Sequence, residues 1–167
     1  MTLVIQWAMS YAKDVGEASA VRRVIGGVPE LTMRSDTQVR FVAPGSLTDE
    51  RFGLFEWNMG SQGGGPDAHF HKTFSESFYV TRGTVALFDG TAWLDAQPGD
   101  FVYVPPGGIH AFHNTSGEPA SMLILFAPGP PRERYFEELA EIGNSGRQLS
   151  DDQWIELWAR HDQYPAT

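Results

Sequence analysis

Residues 69–83 read HFHKTFSESFYVTRG, and the layout of this stretch decides the fold. In an extended chain successive side chains point to opposite faces, so His69 and His71 share a face while Phe70 opposes them. Glu76 stands an odd step beyond His71, and an unbroken strand would aim it the other way. It joins the histidines only if Lys72, Thr73, Phe74 and Ser75 interrupt the pleat with a turn or bulge. Spacing alone permits a shared site and does not require one.

Outward from this stretch, from Gln38 onward, the chain reads as short strand-like runs separated by turn residues, the pattern of an all-β barrel or sandwich. The strands expected are QVRFVA (38–43), RFGLFEWNM (51–59), AHFH (68–71), SESFYVTRG (75–83), TVALFDG (84–90), TAWLDA (91–96), DFVYVP (100–105), HAFHN (110–114) and ASMLILFA (120–127). Asp89-Gly90 marks a hairpin tip, and QPGD and PPGG are turn chemistry, since proline fixes φ and glycine supplies positive φ. After APGPP the pattern switches to helix. PRERYFEELAEIG (131–143) starts at proline, ends at glycine and spaces Tyr135, Phe136, Leu139 and Ile142 at a helical period. SDDQWIELWARH (150–161) opens with a capping box, Ser150 with Gln153, and places Trp154 over Trp158, a pair expected to pack a helix on the barrel or on a second subunit. Three segments follow: an extension over 1–37, with LVIQWAM as a possible strand packing on the barrel or a partner subunit, a barrel over 38–128, and a helical tail over 129–167.

Composition narrows the function classes. A chain of 167 residues is about one domain. With no cysteine it has no disulfide, thiolate metal site or cysteine nucleophile, which fits a reducing, cytoplasmic setting. A net charge of −9 argues against nucleic acid and anionic membrane surfaces, and no apolar run has the length of a membrane span. The start MTLVIQWAMSYAKD lacks the basic and apolar regions of a signal peptide.

The second informative stretch is GDFVYVPPGGIHAFHN (99–114), where a strand runs into a Pro/Gly turn and re-emerges at His110. Here the sequence resembles the cupin superfamily. The first cupin motif, G-x5-H-x-H-x4-E-x6-G, is met by Gly63, His69, His71, Glu76 and Gly83; the second, G-x5-P-x-G-x2-H-x3-N, by Gly99, Pro105, Gly107, His110 and Asn114. No position departs. The resemblance implies an antiparallel jelly-roll barrel with one metal held by His69, His71, Glu76 and His110. Three imidazoles and a carboxylate suit nickel, iron, manganese or cobalt, and zinc less well. His113, opposite in parity to His110, and His161 read as ordinary hydrogen-bonded histidines, and Lys72 as a solvent-facing turn residue. GGGP at 63–66 has no strand-to-helix context for binding phosphate and reads as the approach to the metal strand.

The fold hosts dioxygenases, isomerases, decarboxylases, cyclases and simple binders, so the metal does not name a reaction. Within the superfamily the chain is most similar to small single-domain cupins of the quercetin 2,3-dioxygenase and polyketide-tailoring kind. That likeness implies a dioxygenase acting on a small aromatic or polyphenolic substrate, with Glu76 as ligand and base. Phe78 shares parity with Glu76 and Phe112 with His110, while Trp57 lines one face of its strand with Phe55 and Met59; Trp57, Phe78 and Phe112 are the expected pocket wall, suited to a flat apolar ligand. The alternatives are a metal-dependent cyclase or isomerase without oxygen chemistry, and a non-catalytic small-molecule binder. Cupins of one barrel imply a homodimer.

Overall fold

The computed structural model describes residues 20–27, 29–61 and 63–166; the strand expected at LVIQWAM lies outside them. Eleven strands and two helices follow in order: β1 (Leu31–Thr32), β2 (Gln38–Ala43), β3 (Gly53–Met59), β4 (His69–Phe70), β5 (Ser75–Arg82), β6 (Val85–Phe88), β7 (Trp93–Ala96), β8 (Phe101–Val104), β9 (Ala111–His113), β10 (Ala120–Ala127), α1 (Arg132–Ser145), α2 (Asp151–Arg160) and β11 (Tyr164–Pro165). Each run expected as a strand between 38 and 127 contains one of these.

The strands form a six-stranded sheet in the order β1-β2-β3-β10-β5-β8, a three-stranded sheet β7-β6-β9 and a short pair β11-β4. Every pairing is antiparallel. Alternation in the sequence explains which face is buried. Along β3, Phe55, Trp57 and Met59 point inward, and along β10 Met122, Ile124 and Phe126 do the same. These meet Val85, Leu87 and Phe112 of the smaller sheet in one hydrophobic core, the packing of a jelly roll.

The helices belong to that core. α1 follows Pro131 and ends at Gly146, whose φ of 73° is the left-handed conformation of a helix stop. Its Phe136 ring packs edge-on against Phe55 at 5.1 Å and Trp57 at 5.0 Å. The capping box on α2 is formed: Ser150 Oγ accepts from the Gln153 amide while Gln153 Oε1 accepts from the Ser150 amide. The expected strand AHFH shortens to His69–Phe70 because the chain bends at Lys72 and Thr73. What β4 pairs with is the C-terminal segment: Tyr164 lies opposite Phe70 and Pro165 opposite His69. No helix among the described residues is long and apolar enough to cross a membrane.

Candidate metal centre

Two strand ends and one bend bring four side chains together. The bend after His71 resolves the parity of the opening stretch, because β5 restarts at Ser75 with Glu76 turned to the histidine side. His69 and His110 form a bridge in which each amide donates to the other's carbonyl, at 3.0 and 2.9 Å. The turn before His110 is tied to the first motif by Gly107, whose amide donates to the His71 carbonyl at 2.6 Å. Gly107 has φ of 83°, a conformation that favours glycine. The potential ligand atoms of His69, His71, Glu76 and His110 all lie within 4.8 Å of one another, and all four residues are buried.

Each imidazole is oriented from behind. His69 Nδ1 lies 2.8 Å from the Asp67 carbonyl, His71 Nδ1 2.6 Å from the Asp162 carbonyl and His110 Nδ1 3.0 Å from the Gly108 carbonyl. A carbonyl only accepts, so each Nδ1 carries a hydrogen, and Nε2 remains for the cluster, donating to a carboxylate when the ring is charged and offering a lone pair to a metal when it is neutral. The Nε2 atoms of His71 and His110 both stand 2.9 Å from Glu76 Oε2. Phe74 stacks on the His71 ring at 4.3 Å.

Burial alone would push the Glu76 carboxyl up. The charge of His110 and hydrogen bonds from both histidines outweigh it and hold the group well below the usual carboxylate range. Burial would lower His110, but Glu76 reverses the sign and raises it. His69 is pushed down from 6.5 to about 3, by burial first and then by the His110 charge. An imidazole that stays neutral when folded leaves the unfolded chain binding more protons between those values, so this group removes stability as pH falls below 6.5. His110, held above 6.5, contributes fully below that pH, and the Glu76 contribution is lost only below the ordinary carboxylate value of 4.5. Metal-stripped protein is therefore expected to have a lower urea midpoint at pH 5 than at pH 6.5. A midpoint that stays level or rises would contradict this picture of His69.

The C-terminal segment is part of the site, a contribution that sequence reading missed. Besides the Asp162 carbonyl on His71, the Asp162 carboxylate accepts from the amides of Lys72 and Thr73 and from the Thr73 hydroxyl. Phe70 stacks on Tyr164 at 5.5 Å, and Lys72, exposed in the bend as expected, sets its Nζ 3.5 Å above the Tyr164 ring. Asn114 of the second motif works at a distance. Its Nδ2 donates to the carbonyls of Gly60 and Glu118, and its amide donates to the Gly63 carbonyl, clamping the loop that leads to His69.

A cavity of about 660 Å³ opens beside the cluster, lined by His69 and Glu76 at one place and otherwise mostly by apolar side chains. Trp57 and Phe112 line it. Phe78 does not; it lies behind the site, 5.9 Å from the His110 ring and 5.6 Å from Phe112. Trp154 and Trp158 stack on each other at 5.5 Å, pack against the core and also reach the cavity wall. The cavity also has a buried cation, Arg132, which the sequence reading did not single out. A signal for it existed: Arg132 precedes Tyr135, Phe136 and Leu139 at helical spacing, so it shares their apolar face. His113 packs on Trp93 at 4.1 Å and His161 bonds Glu138 at 3.1 Å, both outside the cluster.

Residues 55–126 match the family described as "Cupin domain", in line with the two motifs. A curated relative, quercetin 2,3-dioxygenase from Bacillus subtilis, is 26% identical over 103 residues, 62% of this chain. That match spans only 30% of the relative's own length. Among solved structures, a predicted oxalate decarboxylase from Thermotoga maritima superposes with TM-score 0.55 at 16% identity, over 63% of this chain and 98% of that one. The polyketide cyclase RemF from Streptomyces resistomycificus gives TM-score 0.52 at 20% identity, over 71% and 94%. Both likenesses establish the cupin jelly roll and nothing finer.

Proposed function

We propose that this cupin-domain chain is a metal-dependent enzyme, a dioxygenase of the quercetinase kind acting on a small aromatic enol or a polyphenolic, polyketide-like substrate. One observation carries the metal. Three imidazoles, anchored through Nδ1 by backbone carbonyls, turn their other nitrogens toward a site they share with the Glu76 carboxylate. A neutral Nε2 and a carboxylate oxygen both present lone pairs, which repel unless a positive species lies between them. A proton can serve one such contact; a single cation serves them all. The residues therefore fit a divalent transition metal of the nickel, iron, manganese or cobalt type. Bound by His69, His71, Glu76 and His110, it would supply Lewis acidity toward an enolic oxygen and, if redox-active, a meeting point for substrate and dioxygen.

The chain's own part can be stated residue by residue. Glu76 presents a carboxylate oxygen beside the cavity that can accept the proton of a substrate hydroxyl. Trp57 and Phe112 form a wall against which a flat ring packs and water is excluded. A dioxygenase places both atoms of dioxygen in its products, so no external reductant is needed. Support for oxygen chemistry comes from the partial match to quercetin 2,3-dioxygenase together with the apolar cavity.

The test is metal analysis of tag-free protein, then oxygen uptake with flavonols and polyphenolic polyketides under each metal. Bound metal with oxygen consumed supports the reading. Substrate altered without oxygen uptake would make the chain a Lewis-acid cyclase or isomerase instead, and tight ligand binding with no metal and no turnover would make it a binding module. The reading includes a homodimer, for which the exposed Tyr79, Phe101 and Tyr103 on the neighbouring strands β5 and β8 offer an apolar face. Sedimentation at micromolar concentration decides that point.

Asp162→Ala keeps the backbone carbonyl on His71 but frees the 72–73 bend, so it should weaken metal binding measurably, by less than the roughly 10–100-fold expected for losing the orienting partner itself. Its carboxylate holds the 72–73 bend against the segment whose carbonyl anchors His71. Competition with a chelator measures it, and unchanged affinity would show that the Asp162 carboxylate has no part in holding His71.

A further inference from the structure

We infer that Arg132 is a binding subsite for an anionic oxygen group, a carboxylate or an ionised phenol or enol, on the aromatic ligand that fills the cavity. This deepens the reading above and rests on the cavity being the substrate chamber.

The argument starts from unmet hydrogen-bonding capacity. Among the described residues, three buried side-chain polar atoms have no partner: Trp57 Nε1, Arg132 Nε and Glu133 Oε2. Two of the three, both N–H donors, belong to residues lining the cavity; Glu133 does not line it. Trp57 and Arg132 also lean on one ring, since Phe136 lies 5.0 Å from the Trp57 ring and 5.5 Å from the Arg132 guanidinium carbon. Two residues of the chamber wall thus carry buried N–H groups without acceptors.

Charge sharpens this. Arg132 is 4% exposed, and no described carboxylate forms an ion pair with it. Of its five N–H donors, one reaches the His161 carbonyl at 2.8 Å and one reaches Gln163 Oε1 at 3.3 Å. The rest of its surroundings are aromatic: Tyr135 at 4.2 Å, Phe126 at 5.2 Å and Phe74 at 5.4 Å from the guanidinium carbon. Cation–π contacts offset part of the desolvation, but a buried guanidinium without a counter-charge remains costly. Burial lowers its pKa, and Tyr135, Glu76 and Asp162, which act on it in the opposite sense, do not outweigh that. A metal held by Glu76 would absorb that carboxylate's charge, leaving Arg132 as an uncompensated cation at the chamber wall. An aromatic anion answers the buried charge: its rings fill the apolar volume and its oxygens pair with and neutralise the guanidinium in the wall.

The probe pair is 2-naphthoate and the neutral 2-naphthamide, titrated calorimetrically into metal-loaded and metal-stripped protein. Naphthoate should bind at least about tenfold tighter than the amide, the difference expected for charge-assisted hydrogen bonds, in both forms. Arg132→Met should abolish the preference. Because Arg132 also supports the 161–163 backbone, Gln163→Glu serves as the variant that keeps the fold: a carboxylate there can still accept from Arg132 and from the Tyr135 hydroxyl. It should remove the naphthoate preference in a protein whose urea midpoint shows it folded. No preference in the wild-type protein, a preference surviving either folded variant, or one that vanishes with the metal would each overturn the assignment. Absence of any bound metal with an intact Arg132-dependent preference would sink the metalloenzyme reading and leave this subsite standing.

Discussion

His110→Ala is expected to abolish stoichiometric metal binding while leaving the jelly roll folded. Losing a residue that merely orients a ligand costs about 10–100-fold in affinity, and deleting a ligand should exceed that range. The fold should survive because what pairs His110 with His69 is backbone: each amide donates to the other's carbonyl, and alanine keeps both bonds. The variant does lose the partner that, with His71, holds Glu76 ionised in a buried place, so some loss of stability in metal-free protein is expected too. His113→Ala is the matched control. That residue is three positions away, packs on Trp93 and lies outside the cluster, so metal content by mass spectrometry should stay at the wild-type level. Equal metal in His110→Ala and wild-type protein would remove His110 from the site. A wild-type protein that takes up no metal after reconstitution would undo the whole reading.

The contrast between those two histidines was available from strand parity, and so was much of the fold. β3 and β10 alternate cleanly because each has one face on the core, and period two is visible in the residues themselves. The capping box of α2 is likewise a local pattern, formed by two residues three apart. Glu76 was legible only with the motif, since its position depends on a bend at Lys72 and Thr73 that parity cannot foresee. Phe78 shows the limit of parity: two residues apart on one strand, Glu76 faces the cavity and Phe78 packs behind His110. The Asp162 anchor was out of reach for a different reason. It joins His71 to a residue 91 positions later through a backbone carbonyl, and no side-chain pattern encodes such a contact. Arg132 sits in a charged run, RERYFEE, and only its helical spacing to Tyr135, Phe136 and Leu139 sets it on the apolar face. Its burial follows from α1 docking on Phe126 and Phe74, a tertiary event that turns an apparent surface cation into part of the chamber.

Phe55→Ala is expected to destabilise the protein by about 3–5 kcal/mol. Phe55 is fully buried in β3, which lies between β2 and β10, with Phe41 and Ile124 directly across. Its ring meets Phe41 at 5.5 Å, Phe126 at 5.7 Å and Phe136 at 5.1 Å, all edge-on, so one side chain joins the large sheet to α1. Alanine removes the three aromatic contacts and leaves a cavity that two β-strands and a helix cannot easily close. Against a typical total stability of roughly 5–15 kcal/mol, a loss of that size approaches global unfolding. The consequence should reach the site as well, because Phe136 also packs on Trp57 and lies near Arg132, both of which line the chamber. Phe101→Ala supplies the comparison: that ring is 61% exposed on the edge strand β8, and its loss in the monomer should fall within about 0.5 kcal/mol. Urea midpoints measured on metal-free protein separate the two. Were Phe55→Ala to unfold within about 1 kcal/mol of wild type, where surface substitutions fall, α1 would not be docked on the sheet through this ring, and the chamber wall built on Phe136 would lose its support.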